Sequence, residues 1–154
     1  IWSFAPHDIS MILRIVKSSP TKVICNGTNI ISENLYDEAN INLIFEDKNI
    51  NAQINVSWLH PIKRHIFTVI GTKGMIIFDD TKDWDEKVFY QEFKHDAKTG
   101  LTRTESRFLK IDTEEPLKRE CSYFVDYIND IKESRTGVEE GIEIVSILRK
   151  ISSQ

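Results

Sequence analysis

Two runs of strict alternation, separated by a three-residue polar turn, constrain this chain more than any other feature. From Asp37 to Glu46, Ala39, Ile41, Leu43 and Phe45 fall on one side, with Asn40, Asn42 and Glu46 largely on the other. After Asp47-Lys48-Asn49 the alternation resumes, setting Ile50, Ala52, Ile54, Val56 and Trp58 against Asn51, Gln53, Asn55 and Ser57. A period of two is the period of a β-strand, and two such runs about a short polar turn make a hairpin. One apolar and one polar face mark an antiparallel sheet covered on a single side.

The flanking sequence extends this pattern. Pro6 to Ser18 reads as a helix, with Ile9, Ile12, Leu13 and Val16 forming one apolar stripe, Ser3 as a cap just upstream and Ser18-Ser19-Pro20 as its stop. Thr21 to Ile31 is β-branched and apolar around Asn26-Gly27, so it makes one bent strand or two short ones. His60-Pro61 breaks the hairpin pattern. Lys63 to Ile70 and Met75 to Phe78 read as strands joined by the turn Gly71-Thr72-Lys73-Gly74, with further strands at Lys87 to Phe93 and Arg107 to Ile111 and a loop from His95 to Glu105. Glu114-Glu115-Pro116 opens a helix whose apolar face is Leu117, Cys121, Phe124, Val125, Ile128 and Ile131. A last helix, Glu139 to Ile151, carries Ile144, Ile147, Leu148 and Ile151. Strands bunched together with helices at the ends imply an α+β fold, a mainly antiparallel sheet of about six or seven strands with helices packed on one face.

Composition narrows the function. The 154 residues suit a single domain, 1–154, and 40% hydrophobic with 29% charged residues is a globular balance. A net charge of −4 weighs against nucleic-acid binding by phosphate neutralisation. No apolar run approaches the roughly 18 residues of a membrane span. Cys25 and Cys121 stand far apart, in no metal-ligand spacing, and are expected to be buried free thiols. With no secretory signal, the expected compartment is the cytoplasm. The opening Ile1-Trp2-Ser3-Phe4-Ala5-Pro6-His7 is apolar and aromatic and reads as the interior of a longer polypeptide.

Three clusters could carry chemistry. His7-Asp8 sits at a helix start, where the positive end of the dipole favours a neutral imidazole, a usable general base; the plainer alternative is a surface His beside an acid that complements the dipole. Trp58-Leu59-His60-Pro61-Ile62-Lys63-Arg64-His65 gathers an aromatic, imidazoles and cations, suited to an anionic or sugar ligand; the alternative is a core Trp beside a solvated basic edge. The acidic run Asp79-Asp80, Asp83, Asp85 and Glu86 matches no calcium loop and reads as a solvated turn. No metal motif, nucleophilic triad or Gly-rich phosphate loop is present in the sequence.

Taken in order, the segments resemble the C-terminal domain of the Gfo/Idh/MocA oxidoreductases. The resemblance rests on Trp2-Ser3-Phe4-Ala5-Pro6-His7-Asp8-Ile9-Ser10, Ile54 to Pro61 with Lys63-Arg64, Val69 to Asp80, Glu115 to Glu120 with Tyr123-Phe124, and Gly141 to Ser152. It implies a substrate-binding and oligomerisation domain that works beside an N-terminal Rossmann domain, which binds NAD or NADP and supplies a catalytic Lys. The implied reaction is hydride transfer between NAD(P) and a secondary alcohol of a sugar or sugar nucleotide. His7 matches the family's catalytic His. The family's Asp, four residues earlier, falls on Ser3, a departure that leaves a hydrogen-bonding group in place of an acid. Ser3 and Asp8 would position His7 or substrate, and Trp58, Lys63 and Arg64 would face substrate. The chain alone is expected to hold no cofactor or metal and to be inactive. Its expected partners are a sugar-like substrate, the Rossmann domain and further copies of itself through the sheet. The alternatives are a non-catalytic module that self-associates through its sheet and a sugar-binding domain without redox chemistry.

Overall fold

The computed structural model describes residues 1–31, 33–96, 98, 100–129 and 136–153. The elements in order are α1 (Ala5–Val16), β1 (Lys22–Thr28), β2 (Glu38–Phe45), β3 (Ile50–Ser57), β4 (Ile66–Ile70), β5 (Gly74–Asp79), β6 (Val88–Asp96), β7 (Gly100–Phe108), α2 (Pro116–Ile128) and α3 (Val138–Ser152), with a 3-10 turn at Glu46–Lys48 between β2 and β3. Seven antiparallel strands form, shared between a sheet in the order β1-β2-β3 and a meander in the order β4-β5-β6-β7; the strand expected from Arg107 to Ile111 is only the end of β7, which stops at Phe108. The described residues fall into two compact units, one holding residues 1–60 and α3, the other β4–β7 and α2.

The first unit is built on the hairpin. β2 pairs with β3 from Glu38↔Ser57 to Phe45↔Ile50, and β1 lies along the other edge of β2. Ala39, Ile41, Leu43 and Phe45 on β2 and Ile54 and Val56 on β3 are buried, while Asn40 and Asn55 meet on the wet face through a 2.9 Å amide–amide hydrogen bond. α1 contributes Ile9, Ile12, Leu13 and Val16 to the same core, and α3 contributes Ile147, Leu148 and Ile151. The two helices pack on each other and over the sheet. They are also joined by the Ser10 hydroxyl donating to Glu140 Oε1 at 2.6 Å and by the Ser19 hydroxyl donating to Glu143. Lys48 Nζ donates to the Val16 carbonyl at 2.6 Å, so the turn of the hairpin caps the end of α1.

β1 is one continuous strand through Asn26-Gly27, which pair with Asn40 and Ala39 rather than turning the chain. Gly27 is required there by a close approach: a Cβ on it would run into the ring of Tyr36.

In the second unit, Gly71 and Gly74 close the β4–β5 turn with a 2.8 Å backbone hydrogen bond, as the sequence indicates. The polar stretch expected as a loop from His95 to Glu105 instead carries the end of β6 and most of β7, with Phe93↔Arg103 through Asp96↔Gly100 in register. Alternating polar residues there pair well on a wet face, and Gly100, at φ +77°, supplies the left-handed turn residue. α2 forms where Pro116 predicts it, yet Leu117, Phe124, Val125 and Ile128 are exposed and no described residue of the helix is buried. Ile131, assigned to the same stripe, lies outside the described residues.

The expectation of two buried thiols is corrected. Cys121 is exposed on α2, and Cys25 is half-buried on β1, where burial pushes its thiol above the ordinary value. No helix among the described residues is long and apolar enough to cross a membrane.

Candidate substrate site

His7 is delivered by a short, well-tied entry into α1. The amides of Phe4 and Ala5 donate to the Ile1 carbonyl, and the His7 amide donates to the Phe4 carbonyl at 3.3 Å. Pro6, which has no N–H to orphan, occupies the first turn, and Asp8 complements the dipole. His7 is exposed on this turn, and Asp8 beside it is partly buried. Ser3 does not cap the helix: Phe4 holds the N-cap position without a side-chain hydrogen bond, so the Ser3 hydroxyl stays with the surface upstream of the helix.

Ser3 and Trp58 are brought together. Both line an open cleft of about 900 Å³ in the first unit, with Trp2, Tyr36, Asp37 and Glu33 among its walls. Trp58 is not a core residue: it is 60% exposed, just past the end of β3, and its ring tilts against Phe4 with centroids 4.7 Å apart. The Trp2 indole N–H donates to Ser152 Oγ at 3.0 Å, tying the start of the chain to the end of α3.

Sequence reasoning missed the residue that organises this cleft. Asp37 is only 9% exposed, the one buried acid among the described residues. Its Oδ2 accepts from the amides of Ile30 and Ile31, at 2.8 and 2.6 Å. Its own amide donates to the Thr28 carbonyl at 3.0 Å, and its carbonyl accepts from the Trp58 amide at 2.9 Å. One residue thus shapes the loop after β1 and holds the aromatic wall. Its signal is an acid at the start of an alternating strand, at the point where the apolar face would begin.

The cluster expected from Trp58 to His65 is divided between the two units. Trp58 belongs to the first unit, whereas Lys63, Arg64 and His65 belong to the second. There Asp80 gathers two lysines and an imidazole: Lys87 Nζ lies 2.6 Å from Oδ1, and His65 Nδ1 and Lys63 Nζ lie 3.5 and 4.0 Å from Oδ2. The Lys87 hydrogen bond is the main reason the Asp80 carboxyl is held below the usual carboxylate range. Lys87 also stands over the Trp84 ring, 4.9 Å from its centroid. Asp79 is held down chiefly by the Thr81 hydroxyl, which donates to Oδ1 at 2.6 Å. Part of the acidic run is therefore an ion-pair hub that shapes the turn after β5. Among the described residues, no three His, Cys, Asp or Glu side chains gather as a metal site.

Comparison with known proteins places this geometry in a family. The family model described as the GFO/IDH/MocA C-terminal domain matches residues 1–77, which include α1, β1–β4, His7, Trp58 and all of the cleft lining but Ser152. No curated protein matches the chain. Among solved structures, a proposed oxidoreductase from Magnetospirillum magnetotacticum MS-1 superposes with a TM-score of 0.77 at 19% identity, over 96% of this chain and 46% of that one. The UDP-N-acetylglucosamine 3-dehydrogenase GnnA from Acidithiobacillus ferrooxidans gives 0.76 at 12% identity, over 94% and 45%. A proposed oxidoreductase from Klebsiella pneumoniae gives 0.63 at 17%, over 97% and 45%. The chain spans about half the length of these structures, and at such identities they show a shared fold. The chain belongs to the Gfo/Idh/MocA oxidoreductase family and has the fold of that family's C-terminal domain.

Proposed function

We propose that this chain is the substrate-side domain of a cytoplasmic NAD(P)-dependent dehydrogenase that acts on a secondary alcohol of a sugar or sugar nucleotide. The observation that carries the reading is the exposed His7 on the first turn of α1, within the segment that the family model matches. Its imidazole would take or return the proton of the reacting hydroxyl. Ser3, where the family has an acid, and the aromatic wall at Trp58 would orient the ring. Lys63 and Arg64 are assigned a secondary role toward charged parts of the substrate.

Dinucleotides are cradled by a Gly-rich turn between a parallel strand and a helix N-terminus. Every strand pair described here is antiparallel, and the sequence contains no Gly-x-Gly-x-x-Gly. These residues do not fit NAD(P), and cofactor binding is assigned to a partner Rossmann domain. The chain by itself is proposed to be inactive. Self-association through the sheet is a further part of the proposal, supported by Ile66 and Ile70, which are exposed on one face of β4.

The test is a cofactor titration and turnover assay on the full-length protein carrying this chain. Saturable NAD(P) binding with sugar-dependent formation of NAD(P)H is the expected result. A protein that binds neither nucleotide would overturn the reading in favour of a non-catalytic module.

A further inference from the structure

We infer that the cleft between Trp2 and Trp58 is a subsite for the uncharged ring of a sugar and excludes phosphate. Both indoles are more than half exposed, at 51% and 60%, yet each is fixed in place. Trp2 is held by its hydrogen bond to Ser152, and Trp58 by the Phe4 ring and by the amide contact to the Asp37 carbonyl. Rigid, solvent-facing aromatic surface costs little ordering on binding. It offers the apolar C–H face of a pyranose a flat partner of matching size. The rest of the lining is suited to hydroxyl groups: Ser3 can donate and accept, and Glu33 can accept.

The charge of the lining sets the selectivity. No Lys, Arg or His is among the described residues that line the cleft, while Glu33 and Asp37 both do. Phosphate recognition relies on cationic or clustered N–H donors. The two Ile30 and Ile31 amides that could make such a nest are already turned onto Asp37. A phosphate here would meet two carboxylates and no cationic side chain. A ligand that carries phosphate must therefore enter with its ring in this cleft and its phosphates outside it.

This inference rests on the sugar reading of the chain but not on hydride transfer, so direct binding tests it apart from turnover. The chain has three tryptophans, and Trp84 lies in the other unit, which makes it an internal control. The ¹⁵N-labelled chain is titrated with methyl N-acetyl-β-glucosaminide and, separately, with N-acetylglucosamine 6-phosphate. The indole N–H resonances of Trp2 and Trp58 are expected to move saturably with the glycoside while that of Trp84 stays put. The phosphate should bind at least about tenfold more weakly, and Trp58→Ala should weaken the glycoside at least about fivefold, with Trp58→Phe retaining most of the affinity. Equal or tighter binding of the phosphate through the same two indoles would overturn the inference and leave the sugar reading standing. Saturable binding unaffected by Trp58→Ala would overturn it as well. No saturable shift with either compound would overturn the subsite, and the turnover assay on the full-length protein would then decide the sugar reading by itself.

Discussion

Replacing Asp37 with Ala should loosen the cleft without unfolding the domain that carries it. The carboxylate accepts two backbone amides, Ile30 and Ile31, at 2.8 and 2.6 Å. Hydrogen bonds to a charged acceptor contribute about 1.5–3 kcal/mol each, but Ile30 and Ile31 are exposed, so water re-satisfies much of what is lost. A local cost of about 2–3 kcal/mol follows. At 1.4 kcal/mol per factor of ten, the amides of Ile30 and Ile31 should exchange with solvent roughly 30–140-fold faster. The Trp58 amide is a control, because it donates to the Asp37 backbone carbonyl, which the substitution keeps. It should change by less than about threefold. Asp37→Asn retains an acceptor without the charge and should fall between the two. The assay is native-state hydrogen exchange read residue by residue. Unchanged exchange at Ile30 and Ile31, or equal acceleration at Trp58, would refute Asp37 as the local tie of this loop.

Other substitutions test other links. Gly27→Ala should push the Tyr36 ring off β1, seen as a change in the Tyr36 ring resonances, while β1 keeps its register with β2. Leu148→Ala, in a side chain that is fully buried between α3 and the core, should destabilise the first unit by about 2–5 kcal/mol in urea unfolding. In the second unit, Asp79 and Asp80 are held below the ordinary carboxylate range, so the stability they lend is complete above about pH 4 and drains away as pH falls through their lower folded values. Lys87→Met should remove most of the Asp80 share of this acid dependence and leave the Asp79 share, followed by Trp84 fluorescence in urea at pH 5 and pH 3. A dependence left intact by Lys87→Met would place the acid sensitivity elsewhere.

Much of the architecture was legible because it is written as periodicity. The alternation of Ala39, Ile41, Leu43 and Phe45 became the buried face of β2, and the stripes on α1 and α3 became the other side of that core. The β6–β7 hairpin was not legible, because a strand lacking an apolar face looks like a loop: Thr102, Arg103 and Thr104 pair in register but bury nothing. The division into two sheets was hidden for a related reason, since strand patterns give pairing preferences but not where one sheet stops. His7 stands out in the sequence by its helix start and Trp58 by its strand end, while Trp58 and Lys63-Arg64 fall in different units. Asp37 was overlooked because a lone acid at a strand start carries no pattern, and its role depends on a loop that folds back onto it. Ser3 was misassigned as a cap because the sequence does not reveal that Ile1 to Phe4 form a turn of their own.

The central claim is that His7 moves a proton at the substrate hydroxyl. The direct measurement is kcat for sugar-dependent NAD(P) reduction by the full-length protein, compared between the native His7 and His7→Ala. The account predicts a fall of about 10²–10⁴-fold, the usual contribution of a general acid–base, with nucleotide affinity unchanged. A His7→Ala protein that turns over within about threefold of the native rate would contradict it, since no acid–base contribution of the usual size could then reside at His7.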